Sequence, residues 1–318
     1  MVKRKDIHFR IDERLLGRFE AALHYEGLNK TDVLTHAIQQ FCVKVESEKM
    51  NDVKRQYAAS IHLQTRIDTH KKYEEQRVNL DEIVIGHLQL QGTEKILEVG
   101  CANGKFLSLL QKNGHKGHLT GLDQSTAMLR EAALNGAQQH VNIEWKLGDA
   151  TKLPFSADSY DWIVARHMLY HMTDVEKTIQ GFHKVIFPGG RFLATTNSKI
   201  SLSRMDEMCN KMLVAFDLPE KSPSASPFCL ENGKQLLQSV FETVEETVIH
   251  NALLFHHATP IVNYISSMFP SLNIPDDIHL HSELKEWLTI EIENELSLHG
   301  GVWRDPKTLA IYRCTKQA

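Results

Sequence analysis

The 318-residue sequence lacks the features that mark most specialised classes of protein. Its five cysteines, Cys42, Cys101, Cys209, Cys229 and Cys314, are odd in number, far apart and without a Cys-x-x-Cys pair. That argues against a disulfide framework and a cysteine zinc site and fits a reducing, cytoplasmic setting. No apolar run approaches the roughly 18 residues a membrane span needs. The opening Met1-Val2-Lys3-Arg4-Lys5-Asp6 leads into alternating residues rather than the apolar centre of a signal peptide. Neither secretion nor membrane insertion is expected. An excess of one charge is missing too: 36 Lys and Arg against 40 Asp and Glu give a formal net charge of −4, so any nucleic-acid contact requires a local patch. With 17 Gly and 9 Pro the chain is not collagen-like, and 42% hydrophobic with 24% charged residues is the balance of a globular protein. At roughly 150 residues per domain, the length allows two.

What is present divides into three textures. Residues 6 to 11, Asp6-Ile7-His8-Phe9-Arg10-Ile11, alternate with period two and read as a strand. Two helical patterns follow, one carrying Leu15, Leu16, Phe19, Ala22 and Leu23 up to Gly27, the other starting at the N-cap Asn29 and carrying Val33, Leu34, Ala37, Ile38 and Phe41. From 44 to about 90 the text is polar and helical. From Lys95 short apolar runs alternate with helical stretches: Lys95 to Gly100, His118 to Asp123, Ile143 to Leu147, Trp162 to Ala165 and Arg191 to Thr195. That alternation predicts a doubly wound, Rossmann-like α/β fold with a mostly parallel sheet. Helices are expected from Phe106 to Asn113, from Thr126 to a stop at Gly136, and after a Thr173-x-x-Glu176 capping box. Val244 to Phe255 and Thr308 to Cys314 read as a closing antiparallel hairpin, with helical insertions before and within it.

The turn Glu98-Val99-Gly100-Cys101-Ala102-Asn103-Gly104 joins the first of these strands to a helix. Glycines there let a ligand approach the backbone, and the helix start offers N–H groups to an anionic end. A dinucleotide fingerprint would need a third glycine where Lys105 stands, which disfavours NAD and FAD. Asp123 follows Glu98 by 25 residues at the end of the second strand, the position of a carboxylate that accepts from a ribose diol. Asp149 ends the third strand and could accept from an adenine amino group.

Five segments in order, Ile96 to Gly104, Gly121-Leu122-Asp123, Gly148-Asp149-Ala150 with Leu153-Pro154-Phe155, Tyr160 to Val164, and Phe187-Pro188-Gly189-Gly190, resemble the class I S-adenosylmethionine (SAM) dependent methyltransferases. The resemblance implies SAM as cofactor. Glu98, Gly100 and Gly104 would line its methionine end, Asp123 would hold its ribose and Asp149 meet its adenine, with Ala102, Gln124, Ala150, Arg166 and Tyr73 also at the pocket. Arg66 to Tyr73 is similar to the cap that precedes the core in some small-molecule methyltransferases and brings His70 along with Tyr73. His167 and His171, four apart after the fourth strand, are the candidate catalytic bases. They lack the His-Glu-x-x-His glutamate and a third ligand, so no metal is expected. In-line positioning alone can also carry methyl transfer. The region after the fourth strand, Arg166-His167-Met168-Leu169, is not the Asp/Asn-Pro-Pro-aromatic motif of amino-group DNA methyltransferases, and no cysteine follows a proline. A small-molecule acceptor is therefore expected, with Met205, Met208, Met212, Phe216, Tyr264, Met268 and Phe269 in the candidate acceptor region. A SAM-sensing transcriptional regulator and a nucleic-acid methyltransferase remain the alternatives.

The order strand, helix, turn, helix at the amino end resembles the ribbon-helix-helix modules of bacterial repressors. The resemblance implies a homodimer whose strands pair, with Asp6, His8 and Arg10 facing the major groove of a DNA operator and Asn29, Lys30 and Thr31 on a phosphate. A dimerisation arm without DNA binding is the other reading. The expected organisation is a module over 1–48, a helical linker and cap over 49–91, and a methyltransferase domain over 92–318 with insertions at about 198–240 and 257–300.

Overall fold

A computed structural model describes residues 12–26, 29–31, 33–34, 61–62, 64–219 and 226–317. The chain divides into two compact units, Met1–Ala59 and Ser60–Ala318. In the first, helix α1 (Glu13–Glu26) starts where Asp12 Oδ1 accepts from Leu15 N at 3.1 Å. Asn29 Oδ1 accepts from Thr31 N at 2.8 Å, the N-cap bond its side chain suggests, and Lys30 pairs with Glu20 at 3.2 Å. The strand expected over 6–11, and with it Asp6, His8 and Arg10, lies outside the described residues.

The second unit is built on one seven-stranded sheet in the order β3-β2-β1-β4-β5-β7-β6. Its strands are β1 (Ile96–Val99), β2 (Leu119–Asp123), β3 (Glu144–Leu147), β4 (Tyr160–Arg166), β5 (Ile186–Asn197), β6 (Thr243–Phe255) and β7 (Trp303–Thr315). β1 to β5 are parallel, and β7 runs antiparallel to both of its neighbours. All four β1 residues are buried, as the continuous apolar run of a central parallel strand requires. Strand order reverses between β1 and β4, which opens a crevice beyond their carboxyl ends.

Helices α2 (Leu80–Leu88), α3 (Lys105–Lys112), α4 (Thr126–Gln138) and α5 (Val175–Val185) flank the sheet. Two of them correct the sequence reading. α4 continues through Gly136, where a Cβ would lie 3.3 Å from Val141 Cγ2, so this glycine serves close packing rather than a stop. α5 is capped by Asp174, whose side chain accepts from Lys177 N at 3.0 Å, one residue later than the Thr173 box. Asp is at least as good an N-cap as Thr, so the start slips without cost.

The insertions form a second apolar core. α6 (Ser203–Ala215), α8 (Ala258–Ser266) and α9 (Ile278–Leu298) bury Met205, Met212, Ile261, Leu284 and Ile292 against one another. α7 (Leu230–Gln238) covers the sheet through Leu237. The helical stretch 64–73 ends in a strap fastened to β6: Glu75 N donates to Ala252 O at 2.8 Å, and Gln76 and Asn251 exchange bonds of 3.0 and 2.8 Å. Arg304 and Lys307 of β7 pair with Glu75 and Glu74.

Candidate active site

At the end of β1 the chain turns through Gly100 (φ +72°), Ala102 (φ +46°) and Gly104 (φ +72°). A Cβ on Gly100 would stand 3.0 Å from Met168 Cβ, in the crevice between β1 and β4. Gly104 and Gly121 have a further constraint, since a Cβ at either would collide with the Trp145 indole at 2.2 and 2.6 Å. Ala102 N donates to Asp123 Oδ2 and Ser125 N to Asp123 Oδ1, both at 2.9 Å. The carboxylate at the end of β2 is thus held in place, and each oxygen keeps a lone pair for a hydroxyl. Gly148 N donates to Asp123 O at 3.0 Å and brings the end of β3 alongside. There Asp149 is exposed, and the Thr151 N–H, 2.8 Å from its Oδ1, holds its carboxyl below the ordinary range. Ala150 is buried and Gln124 exposed.

Glu98 is 1% exposed. Its Oε1 accepts from Arg166 Nε at 3.0 Å; the guanidinium lies 4.0 Å from the Phe106 ring centroid and reaches Asp81 at 2.5 Å. Its Oε2 is buried with no partner. Burial outweighs the Arg166 charge and pushes the Glu98 carboxyl up to about 7. An orphaned buried carboxylate oxygen beside a glycine turn is completed by an ammonium group, so the crevice fits the methionine end of SAM. In this arrangement Arg166, expected at the cofactor, holds Glu98.

Beyond the carboxyl end of β5 lies a cavity of about 1380 Å³. Thr196, Asn197 and Ser198 line it from β5 and the residue after it; Met205, Asp206 and Lys211 from α6; His70, Tyr170, His171, Tyr264 and Met268 from the other side; and Lys307 from β7. Of the two expected bases, His171 lines it. His167 sits behind in a left-handed conformation (φ +49°), its N–H donating to Thr195 O at 3.0 Å. Burial, with Arg166 and Lys307, brings the His167 imidazole down to about 4. His70 is brought down to about 3 by burial, Lys307, His167 and Arg66; its Nε2 stands 3.3 Å from Tyr264 Oη. Tyr73 packs its ring on Phe255 at 4.8 Å and is not part of the cavity lining. Of the seven residues named for the acceptor region, Met205, Tyr264 and Met268 line the cavity, the first two also belonging to the second core with Met208, Met212 and Phe269, and Phe216 packs against that core. Lys307, which lines the cavity from β7, carries no pattern that marks it in the sequence. Among the described residues no group of three or more His, Cys, Asp or Glu is placed to hold a metal.

The sheet order, its antiparallel β7, the glycine turn after β1 and the acid ending β2 make up a Rossmann-like fold of the methyltransferase type. Residues 96–190 match the family described as "Methyltransferase domain". A demethylmenaquinone methyltransferase of Staphylococcus epidermidis is 31% identical over 120 residues, 37% of this chain and 49% of that protein. A ubiquinone biosynthesis O-methyltransferase of Coxiella burnetii is 32% identical over 103 residues, 32% of this chain and 43% of that protein. The chain thus spans about half or less of the length of these two relatives. In fold it is similar to the crystal structure of a putative methyltransferase from Bacillus halodurans, with a TM-score of 0.54 and 17% identity, covering 76% of this chain and 100% of that one.

Proposed function

We propose that the protein transfers the methyl group of SAM to an oxygen or nitrogen atom of a small molecule bound in the cavity beyond β5. The observation that carries this reading is the cavity itself, roomy enough for an acceptor and walled by His171 from the segment after β4. Bound SAM supplies an electrophilic methyl carbon on a sulfonium. Glu98 takes the ammonium on its unpartnered Oε2, and Arg166 and Asp81 keep that carboxylate in place. Asp123, oriented by Ala102 N and Ser125 N, takes the ribose hydroxyls, and Asp149 takes the adenine amino group. The acceptor is ordered by the mixed wall of methionines, tyrosines and hydroxyl side chains, which suits a body with both apolar and polar faces. The names of the two relatives, both of quinone metabolism, favour an acceptor that carries a ring. Incubating the protein with SAM and fractionated metabolite pools should release S-adenosylhomocysteine with some fractions and none without. Binding of SAM with no turnover in any pool would instead favour a SAM-sensing regulator.

The cytoplasm is the proposed location, in keeping with the odd number and wide spacing of the cysteines in the sequence; among the described residues no helix is long and apolar enough to cross a membrane. The sequence pattern of 1–48 supports pairing with a second chain and contact with a DNA operator.

A further inference from the structure

Among the described residues, buried side-chain atoms without a hydrogen-bond partner occur on Glu98, Ser108, His115, His183, Ser266 and His70. Glu98 Oε2 belongs to the cofactor crevice, and of the others only His70 lines the cavity beyond β5. The atom concerned is its Nδ1. A buried polar atom with no partner costs free energy, and on a cavity wall the missing partner comes from what fills the cavity.

The imidazole is fixed at its other nitrogen. His70 Nε2 stands 3.3 Å from Tyr264 Oη, and the two rings meet edge to face with 5.6 Å between centroids. The elements that carry them are tied together, since Arg66, one turn before His70, donates from Nη1 to Ser267 O at 3.1 Å, one turn after Tyr264. Counting donors then locates the imidazole proton. Tyr264 Oη has no second partner among the described residues, so a phenol proton given to Nε2 satisfies both atoms and leaves Nδ1–H as the single unmatched donor. The reverse pairing would strand the Tyr264 proton as well as Nδ1. Burial, the largest influence on the ring, keeps it uncharged, so His70 is a fixed neutral donor rather than a base.

The surroundings limit what this donor can meet. Tyr264 is 6% exposed, and Tyr170 packs edge to face on His171 at 4.5 Å. Burial raises the phenols of Tyr170 and Tyr264 and lowers the imidazoles of His70 and His171, so anions and cations are both disfavoured along this wall. A neutral hydroxyl could accept from Nδ1 but would bring a proton needing an acceptor of its own. A carbonyl oxygen accepts and donates nothing. We propose that His70, held by Tyr264, donates from Nδ1 to a carbonyl oxygen, that of a ketone, ester or amide, on the molecule bound in this cavity, the rings of Tyr170 and His171 offering π surface to the rest of it. This rests on the reading of the cavity as the methyl-acceptor site. The carbonyl orients the acceptor, and another atom of the same molecule takes the methyl group, which makes His70 a specificity-determining residue.

The probes are acetophenone and ethylbenzene, which share a ring and differ in the carbonyl, titrated into the full chain with SAM affinity measured in parallel by calorimetry. Nitrogen NMR of protein carrying labelled histidine should find the His70 proton on Nδ1, and Tyr264→Phe should let it move to Nε2. His70→Phe keeps a ring on the wall and removes the donor, so acetophenone should bind about tenfold more weakly while ethylbenzene binds unchanged. His70→Asn, whose Nδ2 donates from a similar position, should retain most of the acetophenone affinity. A wild-type proton on Nε2, acetophenone that does not bind, or equal losses of the two probes in His70→Phe overturns the subsite. Should His70→Phe fail to bind SAM, the wild-type spectrum and the Asn variant decide the matter. The carbonyl effect in a protein that methylates nothing overturns the methyltransferase reading alone, and turnover of metabolite fractions without the carbonyl effect overturns the subsite alone.

Discussion

Binding of SAM is expected to drive a proton off Glu98. The carboxyl is 1% exposed, Arg166 satisfies one oxygen and the other has no partner, so burial raises it from 4.5 to about 7. A carboxyl raised in the folded state adds stability that is complete below 4.5 and is lost as pH rises through 7. At about 1.4 kcal/mol for each tenfold change in proton affinity, the ionised form costs the ligand-free protein about 3 kcal/mol. An ammonium against Oε2 removes much of that cost and returns the carboxyl toward its ordinary range. Between about pH 5 and pH 7, binding should then release nearly one proton, and affinity should rise with pH by up to about tenfold per pH unit. Calorimetry at about pH 6 in two buffers of different ionisation enthalpy counts the protons directly. Glu98→Gln keeps the shape and the Arg166 contact, so it should bind SAM with no proton release and a flat pH dependence. Equal proton counts in wild type and Glu98→Gln, or proton uptake on binding, would refute the assignment of Oε2 to the ammonium.

Asp305 is fully buried and accepts from Arg204 N at 3.2 Å, Met205 N at 2.9 Å and Trp303 Nε1 at 3.1 Å, capping α6 from β7. Asp305→Ala should cost about 2–4 kcal/mol in urea unfolding, and a loss under about 1 kcal/mol would mean those donors find other partners. Gly104→Ala meets both a φ of +72° and the Trp145 ring at 2.2 Å, and should cost at least about 2 kcal/mol. Adding Trp145→Leu should recover part of that loss, and no recovery would exonerate the indole. Asp123→Ala leaves Ala102 N and Ser125 N without their acceptor and removes the ribose partner, so SAM should bind more weakly by about 1–3 kcal/mol in calorimetry; unchanged affinity would misplace the nucleoside. Phe9→Asp should turn a sedimenting dimer into a monomer, whereas a wild-type monomer at micromolar concentration would dismiss the pairing proposed for 1–48.

The strand, turn and helix around Glu98 to Gly104 were legible in the sequence, as were the acids at the ends of β2 and β3, because each is specified within a few dozen residues by apolar runs, glycines and caps. The same local logic fixed the α/β class and the closing hairpin. It misjudged Gly136 and Thr173, where the deciding contacts, Val141 packing and the Asp174 cap, compete with an equally good local signal. Methionines and aromatics at helical spacing looked alike in the insertions, and only packing showed that Met205, Tyr264 and Met268 reach the cavity while Met208, Met212 and Phe269 stay wholly within the core. Arg166 was expected at the cofactor, and only the fold showed that it bridges Glu98 and Asp81, 68 and 85 residues away. Tyr264 meets His70 across 194 residues, and Lys307 meets Glu74 across 233. The amino-acid sequence by itself determined the cofactor crevice, whose parts are neighbours along the chain or ends of adjacent parallel strands. The tertiary structure alone decided the cavity beyond β5, since its lining comes from the meeting of side chains far apart in the sequence that no local periodicity brings together.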